Sequence, residues 1–279
     1  MKDHLFIHTL SLFPKLDQLL IDLLRALSFE DWEKRTIVPR WTIKDIAVHL
    51  LDGNIRALSM LRDQYFGEKA ENIQSHQDLV AYLNRLNADW VQAFKRVSPV
   101  VLIELLAITG PQYHAFLESL DPFAPATFSV AWAGEQQSLN WFHIAREYTE
   151  KWHHQQQIRL ALGQEEILYA DEWYFPYLDT SMRALPYHYR AVPAEEGAVI
   201  AFSVSGVAGA QWFLHREASA WALQKTNDLP IACSVEMEAA VAWRIFTKGI
   251  SKAEALNHMQ IQGERKLGEV VVDMLAVMA

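Results

Sequence analysis

The segment that most constrains the fold of this chain is residues 141–163, where polar and apolar side chains both recur at helical spacing. Five polar residues follow one another at steps of 4, 3, 4 and 3, which places them on one face of an α-helix. They are His143, Glu147, Glu150, His154 and Gln157. Beside this polar seam, a stripe of large apolar side chains with the same period is expected to face a core. The stripe consists of Trp141, Ile144, Ala145, Tyr148 and Trp152.

Two residues of the polar seam have the chemistry of metal ligands. Glu150 and His154 lie one helical turn apart and point in the same direction. A carboxylate and an imidazole together are donors found in catalytic zinc-type sites. Two ligands do not complete a site, and the same spacing fits a surface ion pair on a helix whose polar seam faces solvent.

The segment 39–67 has its own helical pattern and contains a candidate third ligand. Thr42 followed by Asp45 predicts a helix start of the capping-box type, with Asp in place of the usual Glu or Gln. His49 is offset from the apolar face of this helix and shares a polar stripe with Asp45 and, two turns on, Arg56. Such a stripe commonly faces solvent. The alternative that we predict is that His49 joins Glu150 and His154 at one metal ion.

Helical periodicity covers the first half of the chain. Before the seam helix, it predicts helices at residues 4–28, 39–67, 76–97 and 101–116. A set of long helices with an apolar stripe each is typical of an up-down four-helix bundle, whose interior can hold a metal ion.

In the second half the apolar period changes from helical spacing to two. Turns near Gly206, Gly209 and residues 227–228 separate short strands, which predicts a small α+β domain with an antiparallel sheet. Helices are predicted at Asp171–Arg190, Glu238–Lys248 and Glu264–Met278, with a short strand between the last two. The predicted division is a helical domain at 1–165, a connecting helix and linker at 166–196, and an α+β domain at 197–279.

Composition narrows the class of protein. The 25 basic and 34 acidic residues give a net charge of −9, which argues against a nucleic-acid partner. The only cysteine, Cys233, excludes an intrachain disulfide and a cysteine-rich metal site, as expected in a reducing compartment. We find no signal peptide and expect no membrane-spanning segment, which predicts a cytoplasmic protein.

Two segments carry a family resemblance. P39-RWTIKDIAVHL-50 resembles a segment of the DinB-like superfamily and, more narrowly, of the mycothiol-dependent maleylpyruvate isomerase family. E150-KWHHQQQIRLALG-163 is similar to the second signature of that family, in which a Glu and a His are four residues apart. The C-terminal half, through G263-ERKLGEVVVDMLAVMA-279, resembles the sterol-carrier-protein-like domain that follows the bundle in these enzymes.

The resemblance implies a site and a reaction. His49, Glu150 and His154 correspond to the three metal ligands of the family, and His153 is a weaker rival for His154. The implied metal is zinc first, with nickel, iron or manganese as alternatives. Metal-bound water or thiolate is the expected nucleophile, and no side chain is assigned a catalytic role.

The implied enzyme acts on a small molecule with a low-molecular-weight thiol such as mycothiol, bacillithiol or glutathione, as an isomerase or an S-transferase. A metal-dependent hydrolase of the same fold, or a non-catalytic protein that binds a small ligand, remain the alternatives. Arg56 is a candidate for binding a substrate carboxylate. The resemblance also implies that a basic residue of the second domain reaches the active site, but no local motif identifies this residue as Arg244. A homodimer through exposed faces of the bundle is a further expectation.

Overall fold

The computed structural model describes residues 6–68 and 73–277, and its first half consists of helices. The helices are α1 (Phe13–Arg25), α2 (Phe29–Trp32), α3 (Ile43–Ala57), α4 (His76–Phe94), α5 (Pro99–Glu118) and α6 (Asn140–Leu162). The long ones lie inside the ranges predicted from periodicity or within two residues of them. The helix predicted from residue 4 begins with a 3-10 turn at Leu10–Leu12 that leads into α1, and residues 4 and 5 lie outside the described part.

The predicted capping box determines where α3 begins. The Asp45 carboxylate accepts a hydrogen bond from the Thr42 backbone at 3.0 Å, and the Thr42 hydroxyl accepts one from the Asp45 backbone at 3.3 Å. Asp45 also forms an ion pair with Lys95, just after α4, at 2.6 Å. The capping box and the ion pair with Lys95 both hold Asp45 in place. Because His49 lies one turn beyond Asp45, the start of the helix also determines the position of His49.

Four helices, α1, α3, α5 and α6, pack around one another, and α4 packs against α3. Helix α6 contacts α1 and α3 and is covered on a third side by the later helix α7 (Asp171–Ser181). Most of its side chains are therefore buried, including polar ones. The polar seam predicted from the sequence lies inside the protein, so the interpretation of a solvent-facing stripe is wrong for this helix.

Helix α5 differs from the expectation that no segment is suited to a membrane. By length and composition alone, this helix of 20 residues could cross a bilayer. Buried residues of the same helix, among them Leu102 and Leu106, belong to the core between the helices, whereas Val100 and Ile108 are exposed. A core helix of a soluble protein meets the same criterion, so the feature does not establish a membrane span.

The second half contains a five-stranded sheet. Its strands are β1 (Val199–Ser205), β2 (Gln211–Arg216), β3 (Trp221–Gln224), β4 (Ile231–Glu238) and β5 (Met259–Gly263), in the order β3-β2-β1-β4-β5. Three neighbouring pairs are antiparallel, as predicted, and the central pair β1–β4 is parallel. The sheet is therefore mixed, because the chain crosses from β3 at one edge to the far side of β1 before β4 begins.

The helices around this sheet are shorter than periodicity suggests. Helix α8 (Leu185–His188) follows α7 after a 3-10 turn, and α9 (Ala239–Phe246) matches its prediction. Helix α10 (Lys252–Asn257) was not predicted. The helix expected at Glu264–Met278 is only α11 (Arg265–Gly268) and a 3-10 turn to Asp273, while Met278 lies outside the described residues.

Close packing explains the short α11. A Cβ atom on Gly268 would lie 2.6 Å from a methyl of Ile261 and 3.0 Å from the Cys233 sulfur, so the chain passes directly over the sheet there. One cluster of buried apolar residues extends from the bundle to the sheet. Because this core is continuous, it does not mark a boundary between two domains, and the predicted domain boundaries remain a prediction.

Candidate metal centre

The three predicted ligands lie together in the structure. One donor atom from each of His49, Glu150 and His154 lies within 4.8 Å of the others. His49 comes from α3, whereas Glu150 and His154 come from successive turns of α6. The His49 and His154 rings are 4.6 Å apart, nearly perpendicular to each other.

The separation of Glu150 and His154 is informative. Nε2 of His154 lies 3.6 Å from Oε2 of Glu150, which is too long for a good hydrogen bond. Two ligands that bind one tetrahedral zinc ion at about 2.0–2.1 Å lie about 3.4 Å apart. The pair is therefore spaced more like two ligands of one ion than like a hydrogen-bonded pair.

Burial and charge give His49 and Glu150 the protonation states that a metal requires. Burial, together with the neighbouring His154 and the charge of Arg56, holds the pKa of His49 well below its usual range, so the His49 ring is neutral. Burial alone would raise the pKa of Glu150, but interactions with His154, His153 and Arg146 outweigh it and lower the pKa, so the carboxyl group is ionised. A metal binds neutral imidazoles and ionised carboxylates.

The donor set fits a divalent ion by a second criterion. Nδ1 of His49 is buried and has no hydrogen-bond partner among the described residues. A buried polar atom without a partner is costly and commonly marks a ligand, an ion or a water. Two imidazoles and one carboxylate satisfy zinc and its first-row neighbours.

His153 does not belong to this group of three, although its ring is only 4.0 Å from that of His154. Its Nδ1 atom lies 2.7 Å from the backbone oxygen of Thr149, one turn back on the same helix. Burial and the neighbouring His154 lower its pKa to about 3, so His153 is a neutral, backbone-anchored side chain beside the centre.

Two arginines lie near the predicted ligands. Arg56, singled out from the sequence, forms an ion pair with the buried carboxylate of Asp52 at 2.9 Å, and its charge acts on His49. Arg146 was missed. It lies four residues before Glu150 and forms an ion pair with Glu147 at 2.8 Å. Its distance of four residues from Glu150 could have placed it beside the polar seam. The sequence was searched there for metal ligands, and an arginine is not one.

A buried polar cluster continues the seam towards the start of α6. Nδ1 of His143 accepts a hydrogen bond from Arg146 at 2.9 Å, and the Tyr113 hydroxyl donates one to Glu147 at 2.8 Å. Burial lowers the pKa of His143 to about 4. Burial and the charge of Glu147 raise the pKa of Tyr113 well above its usual range.

The cluster predicts a loss of stability in acid. The pKa of His143 is lower in the folded chain than its usual 6.5, so the unfolded chain binds the extra proton first as the pH falls. The contribution of His143 is complete above pH 6.5 and is lost between pH 6.5 and 4. A His143→Asn variant keeps an acceptor for Arg146 but cannot titrate. Between pH 7 and pH 4.5, its free energy of unfolding, measured with urea, should fall by about 2 kcal/mol less than that of the native protein. Equal losses in both proteins would contradict the prediction.

The second half of the chain contacts the metal-bearing helix through aromatic rings. Trp152 of α6 stacks on Tyr174 at 4.8 Å and on Tyr177 at 4.2 Å, and meets Trp243 of α9 edge-on at 6.3 Å. Arg244, next to Trp243, holds its guanidinium 5.7 Å from that ring. These rings pack against α6 at Trp152, two residues from both Glu150 and His154.

A comparison of sequences identifies the family. The profile of the mycothiol maleylpyruvate isomerase N-terminal domain matches residues 13–159, more than half of the chain. The chain belongs to this family. The match contains both segments that carry the resemblance, apart from the last residues of the second, and the predicted family is confirmed. No curated protein is detectably similar to the chain.

Solved structures of the family support the fold of both halves. Two structures of mycothiol-dependent maleylpyruvate isomerase, one with a histidine replaced by alanine, have a TM-score of 0.50 and 11% sequence identity to this chain. The similarity covers 85% of this chain and 86% of each of theirs. It therefore extends beyond the bundle into the α+β half, and the predicted fold class is confirmed. The assignment of metal ligands stays a prediction.

Proposed function

We propose that this protein is a divalent-metal-dependent enzyme that acts on a small unsaturated substrate with the help of a low-molecular-weight thiol. It either isomerises the substrate or transfers the thiol to it. The observation that carries the proposal is the meeting of His49 with Glu150 and His154 at one place. These residues come from two segments about a hundred positions apart, in a chain of the maleylpyruvate isomerase family. The related enzyme of known structure is mycothiol-dependent.

The three side chains divide the work of holding the ion. His49 and His154 would each offer one ring nitrogen, and Glu150 offers the single negative charge of the set. Three protein ligands leave a coordination position open, as in catalytic zinc sites. A divalent ion here would lower the pKa of a bound thiol or water and so supply a nucleophile at neutral pH. Zinc is the first candidate, and nickel, iron and manganese are alternatives.

The isomerisation is balanced with the thiol as the only co-reactant. The thiolate sulfur forms a bond to one carbon of an alkene that is conjugated to a carbonyl, and the electron pair moves to the carbonyl oxygen. The former double bond is then single and can rotate. Breaking of the same carbon–sulfur bond restores the alkene in its other configuration and releases the thiolate. If the other carbon of the former alkene instead takes up a proton, equivalent to the one that the thiol lost, the adduct persists and the reaction is an S-transfer.

Arg56 is the residue that we propose to bind a carboxylate of the substrate. The Arg56 side chain is 35% exposed, and its Nε atom lies 2.9 Å from the buried carboxylate of Asp52, so part of the side chain is accessible to a substrate. Its charge lowers the pKa of His49, which supports a role for Arg56 close to the proposed ligands. An arginine in this position favours an anionic substrate even though the whole chain is acidic. A cytoplasmic location, where free thiols persist, and a homodimer complete the proposal.

The test is a thiol-dependent assay on metal-loaded protein. Zinc-, nickel- and manganese-loaded protein is mixed with maleylpyruvate and, in separate reactions, mycothiol, bacillithiol or glutathione, and the two alkene isomers are followed by proton NMR. We expect isomerisation or an adduct with at least one thiol, at a rate at least about 100-fold above that of metal-free protein. A further reaction contains no thiol, and the appearance there of cleavage products of maleylpyruvate, rather than of its other isomer, would instead indicate a hydrolase. Equal rates with and without metal would contradict the proposal.

A further inference from the structure

Gln157 lies one turn beyond His154 on α6, and the two side chains are joined. The Gln157 oxygen Oε1 lies 2.9 Å from Nδ1 of His154. Gln157 is 4% exposed and His154 is 9% exposed, so the contact is shielded from water. An amide oxygen only accepts hydrogen bonds, and Nδ1 of His154 must therefore carry the proton in this contact.

This proton assignment determines what the other side of the ring can do. A neutral imidazole carries hydrogen on only one nitrogen, so a neutral ring with its proton on Nδ1 has a free lone pair on Nε2. Nε2 is the atom that lies 3.6 Å from the Glu150 carboxylate, at the proposed centre. We propose that Gln157 is a positioning residue that holds His154 in the tautomer and orientation required to bind a metal ion. The inference rests on the proposed function.

The neighbouring glutamines show that this contact is particular to Gln157. Gln156 is also buried, but its amide nitrogen donates to the backbone oxygen of Glu165 at 3.2 Å, away from the centre. Among the hydrogen bonds of the described residues, the contact from Gln157 is therefore the one in which a glutamine reaches a ring nitrogen of a proposed ligand.

The amide also has a chemical consequence that a carboxylate would not have. A carboxylate at this place would add a second negative charge and make the imidazole a stronger donor. With Gln157, Glu150 remains the single anion among the ligands and their hydrogen-bonding partner. A bound divalent ion would then keep a net positive charge and bind a thiolate more tightly.

The first experiment needs no variant and no metal. Long-range nitrogen–proton NMR of the metal-free protein at about pH 8, where imidazoles are neutral, reports which nitrogen of His154 carries hydrogen. We expect the proton on Nδ1. A proton on Nε2 would mean that Gln157 donates through its amide nitrogen instead, and this result would overturn the inference.

The second experiment measures zinc affinity by competition with a chelator in three variants. Gln157→Met removes the acceptor at similar length, Gln157→Glu keeps an acceptor, and Gln156→Met is the matched control one residue away. We expect Gln157→Met to weaken zinc binding by roughly 10- to 100-fold, the usual effect of losing such a partner. Gln157→Glu should bind zinc at least as tightly as the native protein, and Gln156→Met should lie within about threefold of it.

The outcomes separate this inference from the proposed function. Native affinity in Gln157→Met, or equal weakening in Gln157→Met and Gln156→Met, overturns the positioning role alone. The expected pattern without any thiol-dependent turnover overturns the proposed reaction and leaves the positioning role standing. A native protein that binds no zinc overturns both.

Discussion

Replacing His49 or His154 by alanine is expected to remove the bound divalent ion almost completely. The native protein, reconstituted and passed through a desalting column, should hold about one ion per chain, because three ligands from α3 and α6 lie within 4.8 Å of one another. Loss of one ligand of three leaves two, and we expect zinc affinity to fall by at least about 100-fold, more than the loss of an orienting partner. Elemental analysis gives the stoichiometry, and chelator competition gives the affinity.

The matched control for this experiment is His153→Ala. His153 is the immediate neighbour of His154 and is also buried, and its ring lies 4.0 Å from that of His154, but its Nδ1 atom contacts the backbone oxygen of Thr149 and it is not one of the three predicted ligands. We expect its alanine variant to keep about one ion per chain. Circular dichroism and thermal unfolding of the metal-free proteins show whether each variant folds. Metal retained in folded His49→Ala, or lost equally in His153→Ala, would show that the three residues are not the ligand set.

The centre illustrates what local spacing can predict. A helix repeats every 3.6 residues, so Glu150 and His154 could be placed on one face from the sequence alone. His49 is distant in sequence, and nothing in its own helix says which residues of another helix it meets. The link between them came from the family resemblance, and the folded chain then brought them together.

Burial of the seam could not be predicted from α6 alone. A helix with one polar face has the pattern of a surface helix, and only its packing against α1, α3 and α7 shows that the polar face is inside. Arg146 was missed for a related reason. Its importance comes from its contacts with His143, one turn back, and with the adjacent Glu147, and not from a ligand spacing.

The second half shows the limits of periodicity in another way. Alternating apolar residues predicted the strands, but not which strands pair. The parallel pair of β1 and β4 forms because the chain crosses the sheet between β3 and β4, and this connection has no sequence pattern of its own. The long C-terminal helix was expected from spacing alone. Gly268, packed against Ile261 and Cys233, shows that contact with the sheet overrides the local preference.

A buried ion pair joins four helices of the bundle. Lys151 of α6 donates to Asp17 of α1 at 2.8 Å and to Asn54 of α3 at 2.9 Å, and its ammonium group lies 5.7 Å from the Tyr113 ring of α5. The side chains of Lys151 and Asp17 are 10% and 15% exposed. Close approach is possible because α5 has Gly110 here, where a Cβ atom would lie 2.8 Å from the Asp17 carboxylate.

Lys151→Met is therefore expected to destabilise the protein by about 3 kcal/mol and to lower the melting temperature by roughly 6–12 °C. The cause is the carboxylate of Asp17, which loses its counter-ion in a site that water reaches poorly. Removing both charges in Lys151→Met/Asp17→Leu should recover part of the loss, and the difference measures the coupling between the two.

Lys15→Met, at an exposed lysine of the same α1, is the control and should change stability by no more than about 0.5 kcal/mol. Urea unfolding of the four metal-free proteins decides the matter. If Lys151→Met unfolds at the same urea concentration as Lys15→Met, the ion pair contributes nothing to folding. If it is destabilised and the double variant is worse still, apolar packing of the Lys151 stem, and not the charge on Asp17, holds these helices together.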